Sequence, residues 1–305
     1  MTRPATGRGK AGEGGRETGG QLVLVASPIG NLGDLSPRAV AALAAAELIC
    51  CEDTRRTGKL LQHAGLTGKR MAITNEHTER DRVRDVLDVL GRGGTVAVVT
   101  DAGTPGISDP GEWLTRAAIE AGFDVSSIPG PAAFVSALVT SGLPTARFVF
   151  EGFLPRSGAD RRARLADLAA ERRTVVLYEA PHRIERTLAD MRAVCGSDRP
   201  VVVARELTKL YETVERGTLG TIDIGSPRGE YVIVLGGAPK PDSVADPAAI
   251  AATLDELLAG GMSTKDAAAE AATRLGIPRR DAYAVAVERR TATQNGAISD
   301  RNGST

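Results

Sequence analysis

Runs of four to six mostly apolar residues recur along the first half of the chain, at residues 22–26, 48–51, 71–74, 95–100 and 125–128. Between them the spacing changes to that of helices. Val83, Val86, Leu87 and Leu90 fall on one face of residues 79–90, and residues 113–121 and the stretch around Leu60 and Leu61 read the same way. Ser36 before Pro37 marks another helix start, because a serine hydroxyl takes an orphan amide and proline presets the first helical φ. Strands alternating with helices of 10–15 residues predict a mostly parallel sheet covered on both faces.

The rhythm restarts after Gly142, Leu143 and Pro144. Strands are expected at 148–150, 175–178, 201–204 and 231–235, with helices at about 161–170 and 184–194. Threonine-rich alternation between Tyr211 and Ile224 predicts antiparallel strands, which makes the second sheet mixed. The expected organisation is therefore two α/β domains, 21–140 and 141–238, with their boundary somewhere in 137–147. Residues 238–242 read as a linker, and a small helical unit is expected over 245–290. In it residues 250–258 are helical, Ser263 and Asp266 form a capping box, Gly276 closes that helix and Pro278 opens the next. These signals resemble a helix-turn-helix. Residues 1–20, polar and without the apolar core of a secretory signal, are expected to be a disordered arm, and 291–305 a disordered tail.

Composition narrows the class. Aromatics are only 3%, so the core must rest on Ala, Val, Leu and Ile. The 38 basic and 38 acidic residues cancel, so any nucleic-acid footprint must be local. Cys50 and Cys51 are adjacent inside an apolar run, which argues against a disulfide framework. No apolar stretch reaches the roughly 18 residues of a membrane span, and a cytoplasmic location is expected.

Three loops rich in Gly and Pro follow expected strands: residues 27–34, 101–111 and 129–133. Ligands of open parallel sheets sit outside the carboxyl ends of the strands, where such loops gather. Glycine permits close backbone approach, and proline fixes loop shape. There is no P-loop, no dinucleotide fingerprint after a strand and no nucleophile elbow. His63, His77 and His182 share no ligand spacing with one another or with the cysteines, so no metal is expected. The loops fit a small ligand read by backbone groups.

Seven segments in order resemble the ribosomal RNA small subunit methyltransferase I family of the tetrapyrrole methylase superfamily. They are residues 27–34, 51–55, 101–111, 152–155, 178–183, 204–209 and 229–235. The resemblance spans about residues 21–235 and implies two α/β domains with the donor site in the cleft between them. It implies S-adenosylmethionine as donor and 2′-O-methylation of a cytidine in the decoding region of 16S ribosomal RNA, by a homodimer. It also places the donor site on Pro28, Ala102, Gly103, Thr104, Ile107, Ala132, Ala133, Glu179 and Leu207. Where Thr104 stands, tetrapyrrole enzymes often carry an acidic residue, so a contact there falls to a hydroxyl or to backbone.

Methyl transfer from a sulfonium to a hydroxyl depends first on alignment, and a placed base adds about 10²–10⁴-fold. Glu52, Asp53, Asp101, Glu179, Glu206 and Lys209 flank expected strand ends and are the candidates, although Glu52, Asp53 and Arg55 also read as a capping or ion-pair cluster. RNA contacts are expected from Arg156, Arg161, Arg162 and Arg164, from His182, Arg183 and Arg205, and from Arg279 and Arg280 in the helical unit. Such basic runs also occur as solvated helix faces. Two other functions share parts of this pattern: a cobalamin-pathway C-methyltransferase, and a ribosome assembly factor that has lost catalysis.

Overall fold

The computed structural model describes residues 19–75, 78–239 and 246–299, and the chain divides into two compact units after Ala238. Residues 1–18, most of the expected linker, His77 and residues 300–305 lie outside the described residues.

The first unit begins with a five-stranded, wholly parallel sheet. Its strands are β1 (Gln21–Val25), β2 (Leu48–Cys51), β3 (Met71–Ile73), β4 (Thr95–Val99) and β5 (Asp124–Ile128), ordered β3-β2-β4-β1-β5. Successive side chains of a strand face opposite ways, and here both faces are covered. Val96 and Val98 pack with Leu22, Leu48 and Cys50 under α3 (Glu79–Gly91) and α4 (Glu112–Glu120). Ala97 and Val99 pack with Val23, Val25 and Ile49 under α1 (Pro37–Ala45) and α2 (Thr54–His63). That is why these strands are apolar runs rather than alternating ones. The chain leaves β1 towards β2 and leaves its neighbour β4 towards β5, so the strand order reverses between them. A crevice opens at that point, outside their carboxyl ends.

Local capping follows the sequence. Ser36 accepts from the amide of Ala39 at 3.1 Å, starting α1 as expected. Glu79 does more than open its own helix: it is 3% exposed, and its carboxylate accepts from the amides of Gly111 (2.9 Å) and Leu114 (3.1 Å) at the start of α4. Glu79→Ala strands those amides, and is expected to cost about 1–3 kcal/mol and lower the urea midpoint.

The second sheet holds β6 (Phe148–Phe153), β7 (Thr174–Glu179), β8 (Pro200–Arg205), β9 (Thr213–Thr218) and β10 (Tyr231–Leu235), ordered β6-β7-β10-β8-β9. Only β6 and β7 run parallel; β10 and β9 are antiparallel to their neighbours. One face lies under α6 (Gly158–Ala170) and α7 (Ile184–Cys195) through Val175, Leu177, Val203 and Ile233. The other face, with Val176, Val202 and Val232, takes Ala137 and Leu138 of α5 (Ala133–Ser141) and reaches Ile29 in the first half.

Two expectations for this half are corrected. The threonine-rich stretch forms one strand, not several, because Thr221 turns the chain back: its hydroxyl accepts from the amide of Thr218 at 3.0 Å, and Leu219 is fully buried. The sequence reading also placed no helix at 133–141. α5 starts at Ala132 with no side-chain cap among the described residues, ends at Gly142 with φ 78°, and packs on the second sheet.

The second unit holds α8 (Pro247–Ala259), α9 (Thr264–Leu275) and α10 (Arg279–Ser299) around Ile250, Leu254, Leu257, Ala268 and Ala282. The Ser263 hydroxyl accepts from the Asp266 amide, and Gly276 closes α9 with φ 66°. The backbone of α10 continues to Ser299, past the expected end near 290, because no proline interrupts it.

Candidate active site between the two sheets

The loops after β1, β4 and β5 meet at the crevice and are tied together. Ser27 and Gly103 exchange both backbone hydrogen bonds, at 2.8 and 3.2 Å, which joins the first loop to the second. The Thr104 hydroxyl donates to the Pro131 carbonyl at 3.3 Å, joining the second to the third. Loops of the second sheet close the other side. A Cβ on Gly30 would stand 2.4 Å from Lys209 and 2.8 Å from the Thr208 hydroxyl, so only glycine lets the first loop approach there. A Cβ on Gly152, at a β-bulge in β6, would stand 2.9 Å from the Ser108 hydroxyl in the second loop.

These walls enclose a cavity of about 470 Å³. Ala102, Gly103, Thr104, Ile107, Ala132, Ala133, Glu179 and Leu207 all line it. Of the expected donor residues Pro28 alone does not; it is buried in the loop, and its neighbour Ile29 reaches the cavity instead. Ile29, Leu207 and Val232 supply apolar wall, and Phe153 and Tyr178 pack with tilted rings, 5.6 Å between centres, on the side of the second sheet. The Tyr178 hydroxyl accepts from the amide of Phe134 at 3.3 Å, which fixes the start of α5. Burial pushes this phenol up to about 12.

One wall is acidic. Glu52 accepts from the Asp101 amide at 3.0 Å, and burial raises its pKa. Asp101 is raised by burial too; one oxygen pairs with Arg56 at 3.3 Å, and the other is buried without a hydrogen-bond partner among the described residues. Asp109, which the sequence reading named only as part of its loop, lines the same cavity. Burial pushes it up to about 7, helped by the charges of Glu52 and Asp101. Its neighbour Ser108 holds φ 59°, a strained value for a residue with a side chain.

The other base candidates have structural duties. Asp53 caps α2 through the amide of Arg55 and pairs with its guanidinium. Glu179 is 2% exposed, and both its oxygens are engaged, by the Ala180 amide and Arg183 on one side and the Thr187 hydroxyl on the other. Lys209 sits between Glu206 (2.9 Å) and Glu230 (2.8 Å). Burial alone would lower this ammonium's pKa, but those bonds outweigh it and raise it, so Lys209 is held charged and cannot take a proton. Glu206 faces a second cavity, shared with Arg205 on the other side of β10. Neither Glu206 nor Lys209 lines the donor cavity, although Glu230, which holds Lys209, does.

Among the arginines, the expectation for Arg161 is corrected. It is 3% exposed and binds Asp190, the Pro155 carbonyl and Thr187, so it braces α6 against α7. Arg164 pairs with Glu151. Arg156, Arg162 and His182 are exposed, as are Arg279 and Arg280 at the start of α10.

Residues 21–223 match the family described as Tetrapyrrole (Corrin/Porphyrin) Methylases, and residues 244–290 match the RsmI C-terminal HTH domain. The chain is 44% identical over 274 residues to the ribosomal RNA small subunit methyltransferase I of Synechocystis, covering 88% of this chain and 98% of that protein. It is 46% identical to the protein of the same name from Xylella fastidiosa, with 87% and 98% covered, and 44% identical to that of Mycobacterium bovis, with 90% and 97% covered. Among solved structures, the methyltransferase CobJ superposes with a TM-score of 0.57 at 23% identity, over 72% of this chain and 95% of its own. Diphthine synthase does so with 0.54 at 17%, over 71% and 90%. At those identities the two share the fold. The two matched regions and the relatives agree along almost the whole sequence: this chain belongs to the ribosomal RNA small subunit methyltransferase I family, within the tetrapyrrole methylases.

Proposed function

We propose that this protein transfers a methyl group from S-adenosylmethionine to the ribose 2′-hydroxyl of a cytidine in the decoding region of 16S ribosomal RNA. The observation that carries the reading is the loop-built cavity at the switch point of the first sheet, in a chain 42–46% identical to curated small-subunit ribosomal RNA methyltransferases. S-adenosylmethionine is the donor of this family. The residues present fit it: the volume lies in the range of ligand pockets, apolar walls receive a purine, and the orphaned Asp101 oxygen accepts from a hydroxyl or ammonium.

S-adenosylmethionine supplies an activated methyl group on a sulfonium. Ala102, Gly103, Ala132 and Ala133 would hold the donor by backbone and close packing, and Leu207 and Val232 would exclude water. Asp109 would take the proton from the acceptor hydroxyl as the oxygen–carbon bond forms and the sulfur–carbon bond breaks, its electron pair staying on the departing thioether sulfur. Glu52 and Asp101 keep that carboxylate basic by their charge, and Glu179 positions Arg183 and α7. The test is transfer of labelled methyl to purified small subunits, with the product nucleoside identified. Donor binding without transfer to subunits would reject the reading.

The homodimer belongs to the same proposal. Val135 and Val139, one turn apart on α5, are 44% and 66% exposed, and Phe148 stands beside Phe134 of the same helix. Such an apolar face fits a second copy of the chain. Val139→Asp is expected to give a monomer by light scattering; an unchanged dimer would move the interface elsewhere.

The helical unit is assigned to RNA docking. Its core is its own, and every residue lining the donor cavity precedes it. Deleting residues 240–305 is expected to leave donor affinity intact and to raise KM for subunits at least about tenfold, the worth of one charged hydrogen bond lost. Unimpaired methylation would end that assignment.

A further inference from the structure

We propose that a third cavity, at the start of α7, binds a backbone phosphate of the RNA beside the acceptor ribose. The inference rests on the RNA reading above and adds to it a specific site. The cavity measures about 280 Å³ and is lined by Arg156, Arg161, His182, Arg183, Arg186 and Thr187. Two of its guanidiniums are fixed wall. Arg161 is held by Asp190 and the Pro155 carbonyl, and Arg183 by Glu179 and the Leu154 carbonyl. The other two are exposed: Arg156, and Arg186, whose side chain is 64% exposed and reaches Asp190 only at 3.8 Å.

The chemistry of the lining selects an anion. The arginines offer only donors, in forks that match phosphate oxygens, and His182 adds an imidazole. Three carboxylates stand nearby. Glu179 and Asp190 are bound to the wall arginines, and Glu185 is exposed in the first turn of α7. With Arg161 and Arg183 committed to Asp190 and Glu179 as fixed wall, the exposed Arg156 and Arg186 are left to meet an anion, against the one remaining carboxylate, Glu185. α7 has twelve residues, and among the described residues no side chain caps its start, so its positive end reinforces the same site.

Position identifies the phosphate. Glu179, Ala180 and Pro181 line the donor cavity, and the next residues, His182 and Arg183, line this one. Phe153 lines the donor cavity as well, and Arg156, three residues on, lines this one. The linings pass from one cavity to the other between Pro181 and His182, neighbours about 3.8 Å apart at Cα, so the cavities adjoin, and a phosphate next to a ribose at the donor is assigned to this one. A phosphate fixed here sets the position of the 2′-oxygen, which is the alignment that the transfer needs.

The test is the double variant Arg156→Gln, Arg186→Gln in the full chain, with Arg92→Gln, Arg116→Gln as a control of equal charge loss in the first half. Steady-state methylation of small subunits is measured against salt, and binding of a short single-stranded RNA by fluorescence anisotropy. The cavity variant is expected to raise KM about tenfold or more and to lower the salt slope by about one to two, with donor affinity unchanged. The control is expected to do neither. Equal effects in both variants, or none in the first, would overturn the proposal. If the unaltered protein methylates no subunit yet the cavity variant alone loses RNA binding, the phosphate site stands and the proposed reaction fails.

Discussion

Asp109→Asn is expected to lower kcat for methyl transfer by about 10²–10⁴-fold while donor affinity holds, because it removes the group that takes the proton. The pH profile separates this role from a structural one. Burial and the neighbouring Glu52 and Asp101 push Asp109 up to about 7. Below that pH the carboxyl is protonated and cannot act as a base, so kcat should climb about tenfold per pH unit and level off above it. The variant should show no such rise. Stability should move the other way. A carboxyl whose pKa is raised on folding favours the folded state at low pH and opposes it as pH climbs from the unfolded value towards 7. Asparagine carries no charge to bury, so the melting temperature at pH 8 should hold or increase. A large loss of activity without loss of stability is the signature of a residue kept for function; an unaltered kcat, or a pH rise that survives the substitution, removes Asp109 from the mechanism.

The first sheet was legible because both of its faces are buried, which leaves uninterrupted runs such as residues 95–100, and because Ser36 and Pro37 announce their helix. The cavity was legible through its loops, since Gly and Pro after a strand mark close backbone approach. Pairing across the chain was not. Arg161 reads as one of a basic run, and only folding brings Asp190, 29 residues on, to its guanidinium. Lys209 reads as a base until Glu230, 21 residues away, is seen on the same nitrogen. Asp109 sits in a loop already marked as important, yet what distinguishes it there is burial, and Phe153 and Tyr178 of the second sheet line the same cavity. α5 escaped because no side chain caps its start among the described residues and its apolar residues run round the helix: Val135 and Val139 are exposed while Ala137 and Leu138 are buried.

Gly103→Trp is expected to abolish donor binding in a protein that still folds, and Gly103→Ala is the control that shows why. Gly103 has φ 87°, and its amide and carbonyl are both taken by Ser27, so the backbone there is held in a left-handed conformation by the joint between two loops. Any side chain costs strain at that φ, about 1–2 kcal/mol, and both variants carry it. The space differs. A Cβ would meet the Ile29 side chain at 3.6 Å and the Pro131 carbonyl at 3.9 Å, ordinary contacts that leave the cavity open. Alanine should therefore lower the melting temperature slightly and keep the donor. An indole reaches far beyond Cβ into a cavity of about 470 Å³ whose floor this residue forms, and takes the volume the ligand needs. Calorimetry with S-adenosylmethionine should give a measurable Kd for the alanine variant and none for the tryptophan variant at equal helical content. Normal affinity in Gly103→Trp would place the donor elsewhere, and equal loss in both variants would trace the effect to the joint with Ser27 rather than to the space.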